Sequence, residues 1–310
     1  MYIRRLVKAG QASHTISLPK EWIEKNNLSK GSTLYIKEKS GTELIITPNL
    51  ADQKHIDKKT VTINVEGKQP DTIQREITAA YLNNAGTIEL VGKSIMQHAK
   101  DIRRMLHDFV ALEISEQTST RISAKDLLNL KEISVDKSIK RMDLIVRTML
   151  QDCKNTALGN DLSESVILRD YDVNRLYFLL TRLLKGALAS PEMASILELE
   201  PAKVLGKWML VHYIEEFADT IKALCKECVA LDPRQGKDVS ALLSQIEQDY
   251  LDVMKALHED DKSLADDVAR RRTERAALCR AIKDLPEISH GCTAITSLVS
   301  NIARVVIDES

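Results

Sequence analysis

Along this chain the spacing of apolar residues changes twice. Over the first fifty residues it is short and strand-like. Residues 2–8 read as a strand closed by Gly10, and residues 15–18 as a second strand. Pro19 follows, with φ already near the helical value and no N–H for a first turn to waste, so a short helix carrying Trp22 and Ile23 is predicted after it. Gly31 reads as a turn, and residues 34–36 and 44–46 as a hairpin around Ser40-Gly41. Residues 51–60 are polar and read as a linker.

Between 61 and 125 strand and helix patterns alternate. Residues 61–65 and 87–91 read as strands. Residues 70–84 read as a helix with Ile73, Ile77, Ala80 and Tyr81 on one face. Residues 94–110 form a second helix pattern, with Ile95, Ile102, Met105 and Leu106 at helical spacing, and residues 112–123 alternate as one last strand. This predicts a small α/β connector over 61–128, without a catalytic motif.

From Ile133 the period is helical throughout. Stripes over 139–157 and 239–257, and runs at 161–188, 201–229, 263–285 and 288–307, are separated by breaks at Ser190-Pro191, Leu231-Asp232-Pro233 and Pro286. Residues 161–176 align without gaps on 263–278: Leu162, Val166, Arg169 and Leu176 match Leu264, Val268, Arg271 and Leu278. The simplest account is two tandem three-helix bundles, with repeats at about 133–230 and 236–310 of a helical region spanning 130–310. The predicted fold class is therefore multidomain: a small all-β N-terminal domain over 1–50, an α/β connector and an all-α C-terminal region.

Composition adds an asymmetry. Residues 1–50 hold eight lysines and arginines against four acids, a net +4, which leaves −5 for the rest of a chain whose total is −1. A basic head on an acidic body suits nucleic-acid contact at one end. Hydrophobic residues make up 44% but aromatics only 4%, as in aliphatic helical cores. No apolar run approaches the ~20 residues of a membrane span, and the start lacks a signal-peptide core. Five cysteines, Cys153, Cys225, Cys228, Cys279 and Cys292, are an odd number in helical surroundings, which points to reduced thiols and a cytoplasmic protein. Cys225-x-x-Cys228 lacks two further ligands at zinc spacing and reads as core packing. With no nucleophile elbow, P-loop or dinucleotide fingerprint, and with His212, His258 and His290 in no catalytic constellation, an enzyme is not expected.

Residues 1–48 resemble the AbrB/MazE/SpoVT-type swapped-hairpin DNA-binding domain. The resemblance rests on the basic first strand, the Thr15-Ile16-Ser17-Leu18-Pro19-Lys20-Glu21-Trp22 junction, Leu28-Ser29-Lys30-Gly31-Ser32 and the closing Leu44-Ile45-Ile46-Thr47-Pro48. It implies an intertwined homodimer built through the N-terminal domain, and DNA as a partner. Arg4, Arg5, Lys8 and Lys20 are the candidate DNA-binding residues, doubled by two-fold pairing. Ile23 and Glu24 stand where some such helices carry an Arg pair, so the contacts expected are with phosphates.

Residues 130–310 resemble the PhoU family, negative regulators of phosphate uptake. The repeat, Asp170-Tyr171-Asp172 leading into Arg175-Leu176, and Glu215-Glu216-Phe217-Ala218-Asp219 carry this resemblance. Because that family holds metal clusters on E-x-x-x-D pairs, it implies a divalent or iron ion in the first helical repeat, on Glu215, Asp219 and Asp170. The spacing equally suits solvated acids neutralised by Lys222 and Lys226. Asp170 aligns with Arg272, and the acidic pair with Thr293 and Ser297, so the second repeat should hold no hard cation. The joined order is similar to that of archaeal phosphate-uptake regulators. It implies a DNA-binding transcriptional regulator of phosphate uptake, with the bundle as sensor or docking module. The other function left open is an adaptor that binds a phosphate-transporter ATPase or signalling protein while the N-terminal domain only dimerises. A metal-dependent enzyme is a third class, for which no acid–base set is assembled.

Overall fold

A computed structural model describes residues 3–10, 13–48 and 59–309. The chain divides into two compact units, residues 1–58 and 59–310. Most of the expected linker, residues 51–58, lies outside the described residues, and Thr60 already opens a strand.

In the first unit β1 (Val7–Lys8) pairs antiparallel with β2 (His14–Thr15), Val7 opposite Thr15. The strands predicted over 2–8 and 15–18 are thus much shorter, because flanking residues without a partner strand cannot complete a ladder. Pro19 stands one place earlier than predicted, as the extended N-cap of α1 (Lys20–Lys25), its carbonyl accepting from the Trp22 and Ile23 amides. Gly31 takes φ +91°, a conformation that only glycine adopts without strain. The predicted hairpin is present as β3 (Tyr35–Ser40) and β4 (Glu43–Thr47). Among the residues of this unit whose side chains are described, which leaves out 37–40, none is buried.

The second unit begins with a four-stranded sheet in the order β5-β6-β8-β7. β5 (Thr60–Asn64) and β6 (Thr87–Val91) are parallel, joined through α2 (Pro70–Leu82). α3 (Ile95–His107) leads to β7 (Leu112–Gln117) and β8 (Arg121–Asp126), both antiparallel to their neighbours. The single strand expected over 112–123 is therefore a hairpin. Its turn, Thr118-Ser119-Thr120, lacks the Gly, Pro, Asn or Asp that marks most turns, so it was invisible in the pattern. Ile63, Ile88, Leu90, Ile122 and Ala124 line the face covered by Ile73, Ile77 and Tyr81 of α2 and by Ile102 and Leu106 of α3.

Six long helices follow, with one short helix among them: α4 (Val135–Ala157), α5 (Ser163–Ala189), α6 (Pro191–Ile196), α7 (Pro201–Cys228), α8 (Pro233–Glu259), α9 (Lys262–Ala281) and α10 (Pro286–Glu309). α4, α5 and α7 pack on one another, as do α8, α9 and α10. α4 against α8 and α7 against α10 join the two bundles. α6 was expected as a plain break, but Ser190 caps it, accepting from the Met193 amide, and Pro191 opens it. α9 ends four residues before the expected Leu285, at the C-cap Ile282, whose ψ of 74° leaves the helical region.

The internal repeat has a structural counterpart. Arg169 pairs with Asp152 on the preceding helix, and its aligned Arg271 pairs with Asp252 at 2.7 Å and Asp249 at 2.9 Å. Val166 and Val268 are both buried, whereas Leu176 is buried and Leu278 is 39% exposed, so the sequence match outruns the structural one by the end of the aligned stretch.

The sheet is tied to the first bundle by an ion pair that pattern reading missed. Arg182 of α5 donates to both carboxylate oxygens of Asp126 at 3.1 and 2.5 Å, and to Asn84 at 3.0 Å. Its guanidinium lies 4.6 Å from the Tyr81 ring centroid. Both partners are almost wholly excluded from water, where only such a bidentate, multiply bonded arrangement keeps a charge pair tolerable.

Candidate functional site

The basic head is laid out along the first unit. Arg4 and Arg5 precede β1, Lys8 lies in β1 opposite His14, and Lys20 is the first residue of α1. All four side chains are exposed. Lys20 makes only a loose i,i+4 pair with Glu24, 3.6 Å apart and exposed at both ends, which costs little to break when a phosphate competes. Beside these charges seven large aliphatic side chains, Ile3, Leu6, Val7, Ile16, Ile36, Leu44 and Ile45, are also exposed.

The acidic set of the first bundle is arranged differently from the expectation. Asp170 of α5 is buried, and its Oδ2 accepts from Lys222 Nζ at 2.7 Å and from Asn174 at 3.1 Å. Lys222 also donates to Asp219 Oδ1 at 2.6 Å. Burial raises the Asp170 carboxyl, more than the Lys222 hydrogen bond lowers it. Lys222 rises too: against burial, its hydrogen bonds to Asp170 and Asp219 hold the ammonium charged. Glu215 is half-buried, one turn before Asp219, and is pushed up to about 7 by burial first and then by the charges of Asp219, Glu216 and Asp170.

This arrangement does not fit the divalent or iron ion that the PhoU resemblance implies. A lysine ammonium already stands between Asp170 and Asp219. Among the described residues no group of three or more His, Cys, Asp or Glu is placed to hold a metal. The pair was expected on an open helix face, yet Lys222, one turn on from Asp219, folds back and closes it. In the second repeat Arg272, aligned with Asp170, reaches Ser297 Oγ at 3.5 Å, so a cationic side chain sits at the corresponding seam there as well.

The cysteines form a second unanticipated cluster. All five are free and buried. The thiols of Cys225 and Cys228 on α7, together with burial, hold the Cys153 thiol of α4 well above its ordinary value. Cys225 donates to Thr156 Oγ1 at 3.4 Å. Both members of the C-x-x-C pair are thus core residues, where only Cys228 was placed on the apolar stripe.

Residues 12–53 match the family described as antidote-toxin recognition MazE, bacterial antitoxin, and residues 139–228 match the PhoU domain. The chain joins a MazE-like segment to a PhoU-like domain. The PhoU-like match ends at Cys228, the last residue of α7, so it spans the first bundle and stops where the second begins. The MazE-like match contains Lys20 but begins beyond Arg4, Arg5 and Lys8. Both families are regulatory rather than enzymatic. No curated protein and no solved structure matches the chain.

Proposed function

We propose that this protein is a cytoplasmic, homodimeric DNA-binding regulator of phosphate uptake, with the PhoU-like region as its sensor or partner-docking module. The observation that carries this reading is the character of the first unit. It exposes seven large aliphatic side chains, buries none of the side chains described in it, and carries a net positive charge. So small a unit cannot stabilise itself without covering that surface. A second copy of the same β-rich segment covers it in the way a MazE-like fold suggests, and it doubles the exposed Arg4, Arg5, Lys8 and Lys20 on one particle. Phosphate neutralisation then supplies most of the affinity for DNA. The order of the two segments, and the regulatory character of both families, support a role in phosphate homeostasis. A phosphate-transporter ATPase or a signalling protein is the partner expected for the helical region.

The test is a salt titration of DNA binding by the full chain and by an Arg4→Ala/Arg5→Ala variant. The proposal expects uniform weakening across sequences and a shallower salt dependence. Unchanged affinity in a folded variant would move the reading to an adaptor whose N-terminal unit only dimerises.

A further inference from the structure

Where α4, α7, α8 and α10 meet, the second unit holds a cleft of about 440 Å3 that neither the basic head nor the acidic cluster uses. Four lysines line it. Lys137 and Lys140 come from the first turns of α4, and Lys203 and Lys207 from the first turns of α7. Each pair has i,i+3 or i,i+4 spacing, so its two ammonium groups project from one face of a helix. His258, in the last turn of α8, also lines the cleft.

The lining acids offset only part of this set, since three carboxyls, Asp136, Asp260 and Glu309, face four lysines. Asp136 pairs with Lys207. Burial pushes the Glu309 carboxyl upward against the pull of Lys207 and Lys203, and its Oε1 is buried without a hydrogen-bond partner. Asp260 is the third acid in the lining. Lys137 and Lys140 have no ion-pair partner among the described residues. The helix dipoles nearly cancel, since α4 and α7 begin here while α8 and α10 end here. The attraction for an anion therefore comes from the lysines, whose compact charge suits phosphoryl oxygens. A volume of about 440 Å3 lies within the range of small-molecule pockets, roughly 300–1,000 Å3. The lysines stand as pairs on two helices, which favours an anion with more than one phosphoryl group.

We propose that this cleft binds a small-molecule polyphosphate, either a free inorganic chain or the phosphate tail of a nucleotide, held between Lys137 and Lys140 on one side and Lys203 and Lys207 on the other. All four lysines belong to the first bundle, and the ends of α8 and α10 from the second complete the lining. The site stands independently of the DNA-binding reading, being built wholly within the second unit.

Isothermal titration of the full chain with tripolyphosphate, ATP and orthophosphate at ~100 mM salt tests this. One site per chain is expected, with tripolyphosphate or ATP at least about tenfold tighter than orthophosphate, and with a helical melting temperature that rises with ligand. ATP binding more tightly than tripolyphosphate assigns the site to a nucleotide tail, and the reverse to an inorganic chain. Lys137→Ala/Lys140→Ala should weaken binding at least about tenfold, and Lys203→Gln on the opposite wall should weaken it separately. Arg4→Ala/Arg5→Ala should leave it unchanged, as should Lys226→Ala/Lys237→Ala, which removes two exposed lysines elsewhere. Loss in the Arg4/Arg5 variant would assign the anion to the basic head instead. Equal loss in the Lys226/Lys237 variant, or no binding by the full chain, would overturn the site.

Discussion

Lys222 decides the chemistry of the first bundle. Its ammonium is the only partner within ion-pair distance of the buried Asp170, among the described residues, and it holds Asp219 as well. Replacing it with Met, which keeps the stem but removes the charge, should destabilise the protein by about 2–4 kcal/mol, because a buried carboxylate is left unpaired. Adding Asp170→Asn to Lys222→Met should recover most of that loss in urea titrations. Full stability in the single variant would show that the pair contributes nothing. The neighbouring Glu215 gives the protein a pH dependence. Its carboxyl is raised from 4.5 to about 7 in the folded chain, so the folded state binds the proton more tightly than the unfolded one. Stability from this group is present below about pH 4.5 and is lost as pH rises through about 7. With a discount for solvent screening at a half-buried site, the loss should be about 1–2 kcal/mol. Glu215→Gln should flatten the fall in stability between pH 5 and 7. An unaltered pH profile in that variant would mean that the group titrates as in water.

At the scale of elements, the starts of α2 and α7 were legible because Pro70 and Pro201 mark them, whereas Pro191, Pro233 and Pro286, read as breaks, each stand in the first turn of the helix that follows. The bounds of β6 follow directly from its β-branched alternation. The turn between β7 and β8 was not legible, since its residues are ordinary polar ones, and α6 was too short to show a period. The joint between bundles was equally silent in the pattern. Gly236, near the start of α8, lies so close to the end of α4 that an added Cβ would stand 1.9 Å from the Ala157 carbonyl oxygen. Gly236→Ala should therefore force α4 and α8 apart and lower stability by about 1–3 kcal/mol, although alanine favours a helix over glycine by about 1 kcal/mol. A stabilised variant in thermal melts would contradict the close approach.

For the whole molecule, the exposed apolar surface of the first unit and its basic side chains make one joint demand. If two copies pair, Arg4→Ala/Arg5→Ala removes four charges per particle. The slope of log K against log salt should then flatten by up to ~3.6, at about 0.9 per phosphate contact. A flattening limited to ~1.8 would mean that one copy alone meets DNA. The variant should fold normally, since exposed charges contribute little to stability. The exposure of Arg4, Arg5, Lys8 and Lys20 was legible because charge and exposure go together on so small a unit, whereas the surroundings of Asp170, Glu215 and Asp219 were not, because they depend on a neighbouring side chain.

The amino-acid sequence by itself determined the kinds of elements, their approximate limits and the tandem repeat of the helical region. Periodicity, proline and glycine act within a few residues, so each element carries its own signature. Tertiary structure decided the polar partners. Arg182 meets Asp126 across 56 positions and Lys222 meets Asp170 across 52. Cys153 meets Cys225 and Cys228 only because α4 packs on α7. The lysine cleft needs four helix ends brought to one place. The strength and role of each of these groups depend on burial and on which charge stands opposite. Those are properties of packing between distant segments, and no local pattern encodes them.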